Sequence, residues 1–219
     1  MSASGPARPR PRRGDAGFTL VELLVTIAIL AIIALPIGNA VIGILHNTDT
    51  TSARLAASHD AQISAAFFAA DVRSMGVQNS GQTALKQSVE TNVAYDSGLY
   101  PCGTAGTPTE ALRLRWDYYG SVSTATGSVP APTPIVVAYV VKTSGTSREL
   151  HRLRCVNSTT PVSDVVVAHT LTATAPVVTC SSTCTAATPP RRITLSFSLV
   201  DPGGTGPYPV ALTGERRQT

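Results

Sequence analysis

Few residues in this sequence are placed to do chemistry, and the most conspicuous is a single carboxylate, Glu22. It stands near the start of an apolar run that continues to Leu45 without another charge. At a membrane-helix centre an acidic side chain costs about 2.5–3.5 kcal/mol, and less near an end. A cation would neutralise it, but Phe18–Leu45 contains no Lys, Arg or His. A cut just before Phe18 would create one, because the new α-amino group lies about a turn from Glu22 in the same helix. On a neighbouring helix that amine could pair with Glu22 directly and fix the axial offset between two subunits.

Other chemistry is sparse. His46, His59, His151 and His169 are scattered, with no Cys or carboxylate at motif spacing. No G-x-S-x-G, P-loop or H-E-x-x-H pattern occurs. Gly203-Gly204-Thr205-Gly206 is glycine-rich, but no helix pattern follows it to hold a phosphate, so it reads as a turn. The sequence thus gives no catalytic residue, no metal ligand set and no cofactor site, and a non-enzymatic role is expected. The four cysteines, Cys102, Cys155, Cys180 and Cys184, all follow the apolar run. They allow three disulfide connectivities. Cys180 and Cys184 are close enough to close a small local loop, which leaves Cys102 with Cys155. Zinc is disfavoured, since no C-x-x-C pair or nearby His cluster completes a ligand set.

Composition bounds the rest. The chain has 219 residues and a net charge of +4. Four of its 17 Lys+Arg (Arg8, Arg10, Arg12, Arg13) and one of its 13 Asp+Glu (Asp15) precede Phe18, so the remainder balances 13 against 12, or +1. The basicity belongs to the leader, and direct nucleic-acid binding has no support from net charge. The pairs Arg113/Arg115, Arg152/Arg154, Arg191/Arg192 and Arg216/Arg217 are expected on solvated strand faces. Charged residues are only 14% and aromatics 5%. The outer part is rich in Thr, Ser, Ala and Val, which favours strands and loops.

The elements that would position these residues follow in order. Residues 1–17 read as a processing leader without periodicity. Residues 18–45 read as a helix apolar on all sides, long enough to cross a bilayer. Pro36 should bend or loosen it, and Gly38 and Gly43 weaken its second half. The polar stretch His46–Ser52 is a candidate break. Residues 46–76 then form an amphipathic helix. Its expected buried face carries Leu55, Ile63, Phe67 and Ala70, with Phe68 and Val72 alongside, and Gly76 marks its end. If continuous, Phe18–Met75 would run about 87 Å.

Residues 77–219 form a β-rich domain. Val77–Thr109 reads as mostly irregular. Leu112–Tyr118 alternates as a half-buried strand. Ile135–Thr143 and Glu149–Val156 flank a turn at Ser144-Gly145-Thr146 as a hairpin. Val162–Leu171 and Ala175–Thr179 are weaker strands, Ile193–Leu199 alternates cleanly, and Pro209–Thr213 forms a last edge strand. The expected class is α+β: one long helix, whose second half covers the apolar face of a C-terminal antiparallel sheet.

The run Gly17-Phe18-Thr19-Leu20-Val21-Glu22-Leu23-Leu24 resembles the type III signal of type IV pilins and type II secretion pseudopilins. The resemblance implies a pilin-like fold. It implies that prepilin peptidase cuts after Gly17 on the cytoplasmic side and N-methylates Phe18, and that Glu22 aids docking into a helical filament. Pro36 fits, since pilin helices often carry a proline where they loosen during assembly. The implied partners are prepilin peptidase, other pilin or pseudopilin subunits, an inner-membrane assembly platform, and membrane lipid before assembly. Phe67–Gly76, with Val137-Ala138-Tyr139 and Leu150-His151-Arg152, resembles PilW-like or J-type minor subunits more weakly. The leader arginines place the N-terminus in the cytoplasm and the domain outside. Two other readings compete. One is conventional secretion, with Gly38-Asn39-Ala40 as a small-x-small cleavage site. The other is a membrane-anchored binding or adhesion domain that keeps its leader.

Overall fold

The computed structural model describes residues 17–76, 87–104, 110–120, 131–201 and 206–217. The leader arginines and the Gly203–Thr205 part of the glycine-rich turn lie outside the described residues. The chain falls into two units, Met1–Asp49 and Thr50–Thr219.

A single helix, α1 (Leu20–Ser74), runs through the boundary between them. The expected break at His46–Ser52 is not there. Hydroxyl side chains in a helix can bond back to the preceding turn instead of competing with it. Thr48 Oγ1 donates in this way to the Ile44 carbonyl at 2.9 Å. The helix also continues through Pro36. That residue has no N–H to offer the carbonyl four residues earlier, so the site lacks one hydrogen bond of the ladder.

The second unit contains two antiparallel sheets rather than the one expected. The larger has five strands in chain order: β1 (Val89–Val93), β2 (Glu110–Tyr118), β3 (Thr133–Ser144), β4 (Ser147–Val156) and β5 (Ser163–Ala168). The smaller has three: β6 (Val177–Cys180), β7 (Arg192–Leu199) and β8 (Tyr208–Glu215). The β3–β4 hairpin turns at Gly145-Thr146, pairing Ser144 with Ser147. Strand β1 falls in the stretch read as irregular, and one of its two buried residues is the polar Glu90, which hides it from a hydrophobic pattern. The link after β5 ties the sheets together. Leu171 N donates to Arg148 O of β4 at 2.8 Å, and Thr172 N to Ser198 O of β7 at 2.9 Å.

The second half of α1 packs on this β structure along Ser64, Phe68, Asp71, Val72 and Met75. This face meets the expected one in part: Phe68 and Val72 are buried and Phe67 packs against the core, but three expected residues lie outside. Leu55 is 67% exposed, Ile63 is exposed and so is Ala70. The buried stripe is centred on the Ser64, Phe68 and Asp71 side of the helix rather than on Ile63 and Ala70. Two polar residues lie on the true face, and each has a partner across the interface. Ser64 Oγ donates to the Val167 carbonyl of β5. Asp71 accepts Arg152 Nε at 2.7 Å, Arg152 Nη2 at 2.5 Å and the Tyr139 hydroxyl at 2.7 Å. The ring of Phe68 meets Tyr139 edge-on, with centroids 5.5 Å apart.

The expectation of solvated arginine pairs is therefore wrong for two of them. Arg152 is 8% exposed and Arg113 is 1% exposed. By alternation Arg113 falls on the face of β2 opposite Leu112 and Leu114, and Arg152 on the face of β4 that carries Leu150. They are buried because each meets a buried carboxylate, Asp71 for Arg152 and Glu90 and Glu110 for Arg113.

Strand β8 approaches the helix at Gly214, where an added Cβ would lie 2.6 Å from Val72 Cβ. Two disulfides complete the unit. Cys102–Cys155 links the segment after β1 to β4, and Cys180–Cys184 closes a local loop after β6.

Four outcomes follow for the full chain unfolded by denaturant in detergent micelles. Gly214→Ala lowers stability by about 1–3 kcal/mol, because backbone and the β-branched Val72 must both move. Arg152→Ala leaves the Asp71 carboxylate buried without its ion partner and costs about 3–5 kcal/mol. Arg192→Ala, at the exposed pair with Glu215, leaves the midpoint unchanged. Replacing both members of Cys102–Cys155 by Ser costs about 4 kcal/mol on the chain-entropy model for its 53-residue separation, against about 2 for the four-residue Cys180–Cys184 loop. Equal losses for the two disulfides would refute that loop-length account.

Candidate functional site

The candidate site is the start of α1. Gly17, Phe18 and Thr19 are exposed and not helical, and the helix begins at Leu20. Thr19 sets that start. Its Oγ1 accepts the Glu22 N–H at 3.3 Å, and its carbonyl accepts the Leu23 N–H at 3.2 Å. Thr19 is thus the N-cap, and Glu22 occupies the third helical position. Thr-x-x-Glu is the spacing of a capping box, a signal present in the sequence but not used in the reading above. A carboxylate in the first turn also meets the positive end of the helix dipole. So Glu22 has a local reason to be where it is, worth a fraction of a kcal/mol at an exposed site.

What the cap does not explain is the surroundings. Every residue of α1 from Leu20 to Leu45 is exposed, although most are large and apolar. Phe18 itself is 80% exposed. This part of the helix is long and apolar enough to cross a membrane. Gly17, Phe18 and Glu22 therefore stand together at the start of an apolar helix. The Gly17–Phe18 peptide bond lies two residues outside the helix, in backbone whose carbonyl and amide are not tied into its ladder. Pro36 stands farther along the same exposed segment.

Elsewhere the ionisable residues are engaged with one another. Among the described residues no group of three His, Cys, Asp or Glu side chains could hold a metal ion. All four cysteines are in disulfides. His151 Nδ1 lies 2.7 Å from Asp164 Oδ1 and its Nε2 lies 3.4 Å from Glu149 Oε2. Lys142 joins the same cluster, 2.6 Å from Asp164 Oδ2. Partial burial pushes the Asp164 carboxyl up, but Lys142 and His151 together hold it below the ordinary range. His169 is bound to the helix, its backbone N–H and Nδ1 both meeting Asp60 Oδ2 at 3.0 and 2.8 Å. These clusters pin strands and helix to one another.

Sequence comparison supports the N-terminal segment alone. A family model described as the prokaryotic N-terminal methylation motif matches residues 12–38. No curated protein and no solved structure matches the chain. The matched span contains the Gly17–Phe18 junction, Glu22 and Pro36, and it ends before the β domain begins. The chain thus carries a prepilin-type N-terminal methylation motif on a long helix followed by an antiparallel β domain, an architecture consistent with the broad pilin and pseudopilin family.

Proposed function

We propose that this protein is a structural subunit of a type IV pilus or a related filament, of the minor pilin or pseudopilin kind. The observation that carries the reading is the coincidence of the methylation motif with an exposed apolar segment, Leu20–Leu45 of α1, whose only carboxylate is Glu22. Residues 1–17 are a leader, 18–45 the membrane and assembly segment, 46–76 its continuation into the outer domain, and 77–219 the rest of that domain. The weaker likeness of Phe67–Gly76 to PilW-like and J-type subunits favours a minor over a major subunit.

The mechanism follows from charge and solvation. The leader arginines hold the N-terminus in the cytoplasm, because lysine and arginine are retained on that side. The domain then lies outside, where disulfides persist. Prepilin peptidase removes the leader after Gly17 and methylates the Phe18 amine. That amine is a cation created beside an apolar helix. In lipid, Glu22 sits near the interface and can stay hydrated. In a bundle of such helices the carboxylate is drawn into apolar surroundings, where a charge is tolerated only when paired. The amine of a neighbouring subunit supplies the partner. An offset that aligned the apolar surfaces but left the pair apart would bury two unmatched charges. Pairing therefore selects one axial stagger among many that greasy surfaces alone would accept.

The reading is tested by mass spectrometry of the N-terminus of membrane-fraction protein. N-methylated Phe18 is the expected terminus. A chain starting at Val41 would instead mean conventional secretion, and an intact leader would mean a plain anchor. The role of Glu22 has its own test. Glu22→Ala leaves membrane insertion and cleavage intact but lowers incorporation into filaments at least about tenfold, the ratio that 1.4 kcal/mol of lost pairing gives. Wild-type incorporation by this variant would refute the pairing.

A further inference from the structure

Two buried carboxylates share one buried guanidinium where β1 meets β2. Arg113 Nε donates to Glu110 Oε2 at 2.5 Å, and its Nη1 donates to Glu90 Oε2 at 2.8 Å. The Arg113, Glu90 and Glu110 side chains are 1%, 5% and 0% exposed. The remaining guanidinium bonds go to one loop, the 94–99 segment after β1. They reach Ser97 O at 2.9 Å, Ala94 O at 3.1 Å and Tyr95 O at 3.4 Å. The loop is fastened from the other side too, by Leu99 N donating to Glu90 Oε1 at 2.8 Å. Gly98, at φ +80°, lets the chain close down on that carboxylate, since an added Cβ would lie 2.5 Å from Glu90 Oε1. The loop is in effect a lid wrapped around the arginine.

The charge does not balance. One guanidinium neutralises one carboxylate, and the second leaves a net negative charge out of water, which is costly. The two acids are not equivalent. Both oxygens of Glu90 accept hydrogen bonds. Glu110 uses only Oε2, and its Oε1 is buried without a hydrogen-bond partner among the described residues. A proton placed there breaks nothing. The charged groups acting on Glu110 are Arg113 of its own strand and Glu90 of β1. Strand β3 sets the apolar Val140 opposite it, and Asp96 of the loop faces water.

We propose that Glu110 carries the proton that neutralises this triad, and that losing it as the pH rises releases the 94–99 loop from Arg113. With both acids ionised, the excess charge is relieved by letting water in, and the loop is the part that covers it. The titration falls in an accessible range. Burial is the largest cause and Glu90 adds to it, Arg113 opposes both, and the Glu110 carboxyl is raised from 4.5 to about 7. Because the folded value is raised, the contribution to stability is fully present below about 4.5 and is lost as the pH rises through about 7. The inference stands apart from the filament reading and does not depend on it.

The full chain in detergent micelles provides the test. Unfolding is followed by the fluorescence of Trp116, the one tryptophan, which lies on β2. Opening of the loop is followed by hydrogen exchange at the Leu99 amide, corrected for intrinsic pH dependence. In the wild type, Tm falls by about 5 °C between pH 5 and pH 8 and Leu99 protection falls with it, at least about tenfold. In Glu110→Gln, which stays neutral at every pH, both changes are absent. Glu90→Gln removes the neighbouring acid but leaves the burial that is the largest cause, so both changes become smaller than in the wild type without vanishing, and it serves alone if Glu110→Gln does not fold. A Leu99 amide indifferent to pH in the wild type, or losses of wild-type size in whichever variants fold, would overturn the proposal.

Discussion

The domain is organised by the contact of Asp71 with Arg152 and Tyr139. An aspartate on a helix face that packs against a sheet is costly unless its charge is met, and Arg152 meets it with two nitrogens while Tyr139 supplies a third donor. The arrangement is mutual. Burial pulls the Arg152 proton affinity down, but Asp71 more than compensates and raises it. Burial and the neighbouring Asp71 charge both keep the Tyr139 hydroxyl protonated, so it remains a donor. Apolar contacts such as Phe68 on Tyr139 would tolerate a small rotation of the helix; this contact does not. It fixes which stripe of α1 faces the sheet, and so determines that Leu55 and Ile63 stay outside.

The same helix thus treats its two conspicuous acids in opposite ways. Asp71 finds its cation within its own domain. Glu22 sits in a segment with no Lys, Arg or His, and has only the cap at Thr19 and the helix dipole to favour it. On physical grounds the first is finished when the domain folds. The second is finished only by something outside the segment as it is written. Cleavage beside Phe18 is the simplest chemistry that would supply it, because it produces a cation without any other residue.

The parts of the structure legible in the sequence are those where one pattern dominates. The alternation of Ile193, Leu195, Phe197 and Leu199 gives β7, and the β-branched run from Ile135 gives β3. The apolar segment to Leu45 and the spacing of Cys180 and Cys184 are equally plain. Legibility fails where a polar side chain takes an inward place. Glu90 conceals β1. Arg152 reads as solvent-facing because its acid, Asp71, lies 81 residues away, and Arg113 because one of its two acids, Glu90, lies 23 residues away while the near one, Glu110, is itself read as a surface charge. Asp71 and Ser64 escape an apolar count of the helix face for the same reason. Their partners are set by the strand order, which hydrophobic periodicity does not encode. The division into two sheets is hidden likewise, since it depends on how the link after β5 crosses from β4 to β7.

The N-terminal site shows how far a short motif can be trusted. Thr19-x-x-Glu22 has a sufficient explanation in helix capping, and a capping box says nothing about filaments. Capping does, however, bear on the junction. By ending the helix at Thr19 it leaves Gly17 and Phe18 in open backbone, the state in which a peptide bond can enter a protease site. A helix continued through Gly17 would lock the same bond into its ladder. What capping leaves unexplained is an acid at the head of so long an uncharged apolar segment, preceded by four arginines. A soluble helix with this cap would carry charges farther along. The filament reading accounts for both features with one event, the replacement of a basic leader by a single amine beside Glu22.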